Sequence, residues 1–150
     1  MTAKLLVVAD LGRLKAYRLE ESRHFSHPRL ELVDDWETEV THHLSEDVTD
    51  QAGRFRKGTG HNEAQSALSD GEQHNIDLER RRRAVKTLAK RICELLHREQ
   101  VDGCYLAADS RISRPILEEM DPPSRARIQK TVEANLSKLS PSQVIGHFCE

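Results

Sequence analysis

The chain of 150 residues lacks any long run of apolar residues. Its N-terminal apolar run, Leu5 to Ala9, spans five residues, which is too short for the core of a signal peptide or for a membrane span. We therefore expect a cytoplasmic protein that does not interact with membranes. The shortness of this run also argues against direct display of the protein on the cell surface.

Cysteines and aromatic residues are also scarce. The three cysteines, Cys93, Cys104 and Cys149, are widely spaced and form no Cys-x-x-Cys pair, which argues against a disulfide framework and a thiolate zinc site. Aromatic residues make up 4% of the chain, with Trp36 the single tryptophan. A surface of aromatic rings that stacks on the bases of single-stranded nucleic acid is therefore not expected.

The length and charge of the chain limit the number of domains and the kind of nucleic-acid binding to be expected. A chain of 150 residues is long enough for one hydrophobic core, so we predict a single domain over residues 1–150. The net charge is −2, and it provides no overall attraction to nucleic acid. Any binding of that kind must come from a local basic surface.

The N-terminal third of the sequence has the patterns of three strands. Residues 4–10 form a short continuous apolar run, which is typical of a strand buried on both faces. Residues 13–19 alternate between apolar and basic side chains, and a further apolar region covers residues 30–36. Short connections between consecutive strands favour an antiparallel arrangement.

The remaining sequence alternates between helices and strands. Apolar residues recur at helical spacing from about Ile76 to about Glu99, and residues 104–109 form another buried strand. We predict a short helix over residues 110–120, a last strand within residues 128–136, and a helix from Ser140. Two strands of one sheet that are connected by a helix normally run parallel to each other. The predicted fold is therefore α/β: a mixed five-stranded sheet, with three antiparallel strands and then helix-linked parallel strands, flanked by helices in a ribonuclease-H-like arrangement.

A long polar segment at about residues 40–75 shows no convincing helix or strand period. Connections of this length in a compact domain are uncommon and tend to be either functional or disordered. Its acidic first half is followed by a basic stretch, and its Gly-Thr-Gly turn could form a backbone nest for an anion. The predicted RNA-binding residues of this segment are Arg54, Arg56, Lys57, Gly58, Gly60, His61 and Asn62. Its histidines show no compact ligand pair, so we predict no metal site there.

Four consecutive arginines, Arg80 to Arg83, follow in the first turns of the predicted helix. The helix macrodipole disfavours positive charge at that end, so another group must offset it. Nearby carboxylates could do so, or the arginines could contact the phosphates of a nucleic acid. Successive helical positions point in different directions, and we select Arg80, Arg81 and Arg83 as candidate RNA-binding residues.

Two aspartates end predicted neighbouring strands, Asp10 after the first and Asp109 after the fourth. In open α/β sheets this edge commonly carries the functional site. Paired carboxylates suit Mg²⁺, which could activate water for phosphodiester cleavage, so a metal-dependent nuclease that uses Asp10 and Asp109 is one hypothesis. The alternative is that both aspartates cap turns, with no cofactor.

Several segments together resemble one bacterial family. They are Leu6-Val7-Val8-Ala9-Asp10, Gly12-Arg13-Leu14-Lys15-Ala16-Tyr17 and Asn135-Leu136-Ser137-Lys138-Leu139-Ser140-Pro141, with the long loop and helix between them. The sequence resembles the host attachment proteins, which are regarded as relatives of the middle domain of archaeo-eukaryotic peptide release factors. The resemblance implies a release-factor-like fold and a role on the ribosome, close to peptidyl-tRNA.

In the release factors, the loop before the long helix carries the catalytic Gly-Gly-Gln. This sequence has Glu63 and Ala64 before Gln65, which is followed by Ser-Ala as in the release factors. Gln65 is thus the catalytic candidate that the resemblance implies. Because glycine permits backbone conformations that other residues adopt only at a cost, we predict ribosome or tRNA binding without strong peptidyl-tRNA hydrolysis. A non-catalytic interaction protein linked to host attachment is a further alternative.

Overall fold

Five strands form one mixed sheet in the computed structural model, which describes residues 2–21, 23–24, 28–38 and 63–148. The strands are β1 (Thr2–Ala9), β2 (Arg13–Glu21), β3 (Arg29–Glu37), β4 (Gly103–Ala108) and β5 (Ile128–Val132). Their order is β3-β2-β1-β4-β5. The first three strands pair antiparallel, whereas β4 runs parallel to β1 and to β5. The predicted mixed five-stranded sheet is therefore confirmed.

Helices flank this sheet. Within the described residues they are α1 (Glu63–Glu99), α2 (Ser110–Glu119), α3 (Pro122–Ala126) and α4 (Pro141–Phe148). None of these helices combines the length and the apolar character that crossing a membrane requires. Helix α3 was not predicted. Its two prolines, Pro122 and Pro123, directly follow the predicted helix over residues 110–120. Proline suits a first helical turn, and Asp121 caps this turn by accepting a hydrogen bond from the Ser124 backbone N–H.

Helix α1 begins earlier than the sequence pattern indicated. It starts at Glu63 rather than near Ile76, so the prediction of a loop through residue 75 was wrong for residues 63–75. Residues 74–79 are exposed and burial begins at Ala84, which is where the apolar period of a core-facing helix begins. Residues 39–62, which hold the predicted contact region Arg54–Asn62, lie outside the described residues.

The core occupies both faces of the sheet. On one face, α1 packs a stripe of buried side chains, including Leu88, Ile92 and Leu96, against β1, β4 and α2. On the other face, Val144 and Phe148 of α4 pack with side chains of β1, β2 and β4. The prediction that β1 is buried on both faces is confirmed, since Leu5 to Ala9 are at most 1% exposed.

Specific polar contacts fix α1 and β3 relative to each other. The Arg91 guanidinium donates to both carboxylate oxygens of Asp34, at 2.8 and 3.1 Å, and lies 5.8 Å from the centre of the Trp36 ring. Two parallel hydrogen bonds of this kind are geometrically selective. Arg91 therefore positions the middle of α1 over the outer antiparallel strands.

Candidate binding site at the sheet edge

The carboxyl ends of β1 and β4 bring two aspartates together. In the parallel register Ala9 is opposite Ala108, so Asp10 and Asp109 leave the sheet side by side. Both line a cavity of about 220 Å³. The other lining residues come from the β1–β2 turn, from α1, from the start of α2 and from the segment after β5; they are Leu11, Gly12, Arg81, Arg111, Ile112 and Asn135.

The carboxylate of Asp10 organises the β1–β2 turn. Its Oδ1 accepts hydrogen bonds from the backbone N–H groups of Gly12 at 2.8 Å and Arg13 at 2.7 Å. The Asp10 backbone N–H in turn donates to the Arg13 carbonyl at 2.9 Å. An aspartate that satisfies the backbone of its own turn in this way is a common turn element. None of the described residues donates a hydrogen bond to Oδ2, the other carboxylate oxygen.

Asp109 caps the N-terminus of α2. Its Oδ1 accepts from the Arg111 backbone N–H at 2.8 Å and from Arg111 Nε at 3.1 Å, and Arg111 Nη2 lies 3.4 Å from Oδ2. The hydrogen bonds from the Arg111 side chain are the main cause of a lowered Asp109 pKa. Asp109 is therefore ionised and occupied by a local partner, as expected of a capping residue.

The described residues do not complete a metal site around these aspartates. Among them, no group of three or more histidine, cysteine, aspartate or glutamate side chains could hold a metal ion. Arg81 and Arg111 also line the cavity, and their positive charges oppose the binding of a divalent cation there. Within the described part of the chain, the geometry thus favours turn capping over the Mg²⁺ ligation of the nuclease hypothesis.

Arg81 brings to the cavity a positive charge that no described residue pairs. It projects from α1, is partly buried, and makes neither a hydrogen bond nor an ion pair with another described residue. It acts on Asp109 only through a longer-range interaction that contributes to the lowered pKa of that residue. Asn135, which also lines the cavity, uses Oδ1 to accept from Ser137 N at 3.1 Å and Ser137 Oγ at 2.7 Å.

The neighbouring arginines occupy a different position from the one predicted. Arg80 to Arg83 lie near the middle of the 37-residue helix α1, not in its first turns, so the expected conflict with the macrodipole does not arise. The side chains of Arg82 and Arg83 are 70% and 77% exposed, and both approach the carboxylate of Glu79, at 3.9 and 3.6 Å. The candidate Gln65 is also part of α1, although the sequence pattern placed it in a loop.

Two polar side chains of the cavity, those of Arg111 and Asn135, were not among the predicted site residues. Arg111 could have been suggested by its position two residues after Asp109, within the capping turn. Asn135 lies in a segment that carries the family resemblance, but no local pattern placed it at this site, which it reaches through the return of the chain along β5. The sequence thus identified the aspartates and Arg81 but not their common surroundings.

The sheet, its flanking helices and this cavity define a small α/β protein with a polar site at the carboxyl edge of its parallel strands. Residues 5–148 match the model of the family described as protein required for attachment to host cells, and the chain therefore belongs to that family. The comparison with curated proteins found none that matches.

Proposed function

We propose that the protein is a release-factor-like, translation-associated protein of the cytoplasm that binds the ribosome or tRNA without strong peptidyl-tRNA hydrolysis. The observation that carries the proposal is an exposed basic surface on α1, formed by the arginines of the run Arg80–Arg83 and led by the exposed Arg82 and Arg83. Arginines of this kind can contact the phosphates of a nucleic acid. The resemblance of the sequence to relatives of the release factors supports ribosomal RNA or tRNA as that nucleic acid.

Two arginines of this surface, Arg82 and Arg83, make exposed ion pairs with one carboxylate in the described part of the chain. Arg82 and Arg83 share the carboxylate of Glu79, and each of the three side chains is more than half exposed. Exposed pairs of this kind contribute about 0–1 kcal/mol, so a phosphate can replace Glu79 at small cost. Arg80 and Arg83 are three positions apart and therefore share one face of the helix.

The backbone around Gln65 argues against release-factor catalysis. In this chain Glu63, Ala64 and Gln65 all belong to α1. In a helix these residues do not adopt the backbone conformations that the glycines of Gly-Gly-Gln permit. Binding without strong ester hydrolysis is consistent with this difference.

A salt titration of tRNA binding tests the proposal. We expect labelled tRNA to bind the wild-type protein with an affinity that falls as NaCl rises, as measured by fluorescence anisotropy. Replacing Arg82 and Arg83 by Gln should lower the slope of log affinity against log salt by about 0.7–0.9 for each phosphate that the variant no longer neutralises. A matched control is the Lys86→Gln/Lys90→Gln variant, which removes two exposed charges from the same helix outside the arginine run.

An equal decrease of slope in the two double variants would show nonspecific attraction and contradict the proposed surface. Absence of binding to both tRNA and ribosomes at low salt would contradict the function itself.

The family description favours a second candidate, a non-catalytic interaction protein linked to host attachment. This candidate predicts that proteins other than ribosomal ones dominate affinity purification of the tagged chain. Recovery of ribosomal proteins in wild type, reduced in Arg82→Gln/Arg83→Gln, would favour the translation role instead.

A further inference from the structure

We propose that the cavity at the sheet edge binds a phosphorylated ribose unit, with Arg81 holding the phosphate and Asp10 and Asn135 holding the sugar. The inference rests on the proposed function in one respect, because an RNA would be one source of such a unit. It concerns a different surface from the exposed arginines of α1 and can be tested without a ribosome.

Two carboxylates, Asp10 and Asp109, and two guanidiniums, Arg81 and Arg111, line the cavity, so its charges balance and the contacts of each group decide where an anion can bind. Asp109 and Arg111 are paired with each other, at 3.1 Å between Oδ1 and Nε, so they nearly cancel. Arg81 has no such partner among the described residues, although it lies partly buried in the cavity wall. A guanidinium presents its donors in a planar fork that suits two oxygens of a phosphate.

Other atoms of the cavity offer hydrogen bonds to hydroxyl groups. Asp10 keeps Oδ2 available within the described part of the chain, because the turn uses Oδ1. Asn135 uses its Oδ1 for Ser137, and its amide nitrogen donates to none of the described residues. A carboxylate oxygen accepts from a hydroxyl, whereas an amide nitrogen donates to one. Together they suit a sugar whose hydroxyls both donate and accept.

The size and lining of the cavity narrow the range of possible ligands further. Its volume of about 220 Å³ is below the 300–1,000 Å³ typical of sites for drug-sized molecules, so a sugar phosphate suits it better than a large ligand. Leu11 and Ile112 add apolar lining that can contact the carbon atoms of the sugar. The arginines and the absence of a third acidic ligand in the described residues disfavour a metal ion as the occupant.

Amide chemical shifts of the full chain provide the test, with ribose 5-phosphate, ribose and inorganic phosphate as probes. We expect saturable shifts of the Gly12 and Ile112 amides with ribose 5-phosphate, and no change at Val144 on the other face of the sheet. Ribose and phosphate should each bind about tenfold or more weakly than ribose 5-phosphate, since each makes only part of the interactions.

Three variants separate this site from general charge effects. Arg81→Gln should weaken ribose 5-phosphate binding about tenfold or more, while Lys86→Gln, which removes an exposed charge from the same helix outside the cavity, should leave binding unchanged. Asn135→Asp keeps the acceptor for Ser137 but removes the amide donor, and it should also weaken binding. The inference would be overturned by wild-type affinity in Arg81→Gln, by an equally weakened affinity in Lys86→Gln, or by equal affinities for phosphate and ribose 5-phosphate.

A second comparison distinguishes the two sources of the ligand. If the unit belongs to an RNA end, hexauridylate with a 5′-phosphate should shift the same amides, and the unphosphorylated oligomer should not. If the unit is a free sugar phosphate, only ribose 5-phosphate should do so. Either result retains the cavity site, and ribosome binding can fail independently, because it depends on Arg82 and Arg83.

Discussion

Replacing Asp10 by Ala should destabilise the protein, because Asp10 holds the β1–β2 turn. The substitution removes the acceptor of two partly buried backbone N–H groups, those of Gly12 at 2.8 Å and Arg13 at 2.7 Å. At about 0.5–1.5 kcal/mol for each hydrogen bond, the free energy of unfolding should fall by about 1–3 kcal/mol. With a shift of about 2–4 °C per kcal/mol for a chain of this size, the melting temperature should drop by about 2–12 °C. Thermal unfolding followed by circular dichroism, with urea titration for the free energy, measures both quantities.

A conservative variant and a control make this test specific. Asp10→Asn keeps a side-chain oxygen for both N–H groups, so its stability should remain much closer to that of wild type. Glu31→Ala removes the same charge from an exposed position on β3 and should have little effect. The capping role would be refuted if Asp10→Ala were as stable as wild type, or if Mg²⁺ raised the melting temperature of wild type but not of Asp10→Asn. The latter result would favour the nuclease hypothesis.

Three further predictions concern the core, the acid response and the thiols. Ile92 is fully buried on the core-facing side of α1. Ile92→Ala should therefore lower the free energy of unfolding by about 2–5 kcal/mol in urea titration, and a change of less than about 1 kcal/mol would contradict the packing described. Hydrogen bonds from Cys93 and Ser124 lower the pKa of Asp121 to about 2 from an ordinary value of 3.8; this contribution to stability is present above that ordinary value and is lost as the pH falls toward 2. Acid unfolding should therefore be less steep below pH 4 in Asp121→Asn, and an unchanged profile would contradict this role. Burial raises the pKa of the Cys104 thiol. In a Cys149→Ser variant, Cys104 should therefore react with a thiol reagent only when the protein unfolds, as measured by mass spectrometry. Rapid reaction of Cys104 in the native state would contradict its burial.

Local sequence patterns were sufficient for most of the fold. The buried run of β1 and the helical spacing of Leu88, Ile92 and Leu96 reflect packing against the core, which the apolar period records directly. The N-terminal part of α1 has no such period because its side chains from residue 74 to 79 are exposed. A helix that continues from a formed segment needs no new nucleus, and strong helix formers such as Glu and Ala suffice to extend it.

The candidate site was predictable only where sheet topology determined it. The positions of Asp10 and Asp109 followed from their places at the ends of two buried strands. The arrival of Arg81 and Asn135 at the same cavity depends on how α1 crosses the sheet and how the chain returns after β5, which are long-range features that no local period records.

Co-sedimentation with ribosomes tests the central claim most directly. Wild-type protein should pellet with ribosomes through a sucrose cushion at low salt, and Arg82→Gln/Arg83→Gln should shift to the supernatant at a lower salt concentration than the Lys86→Gln/Lys90→Gln control. If the wild-type chain stays in the supernatant at every salt concentration, or if the arginine variant and the control behave alike, the proposed translation role through this surface is contradicted.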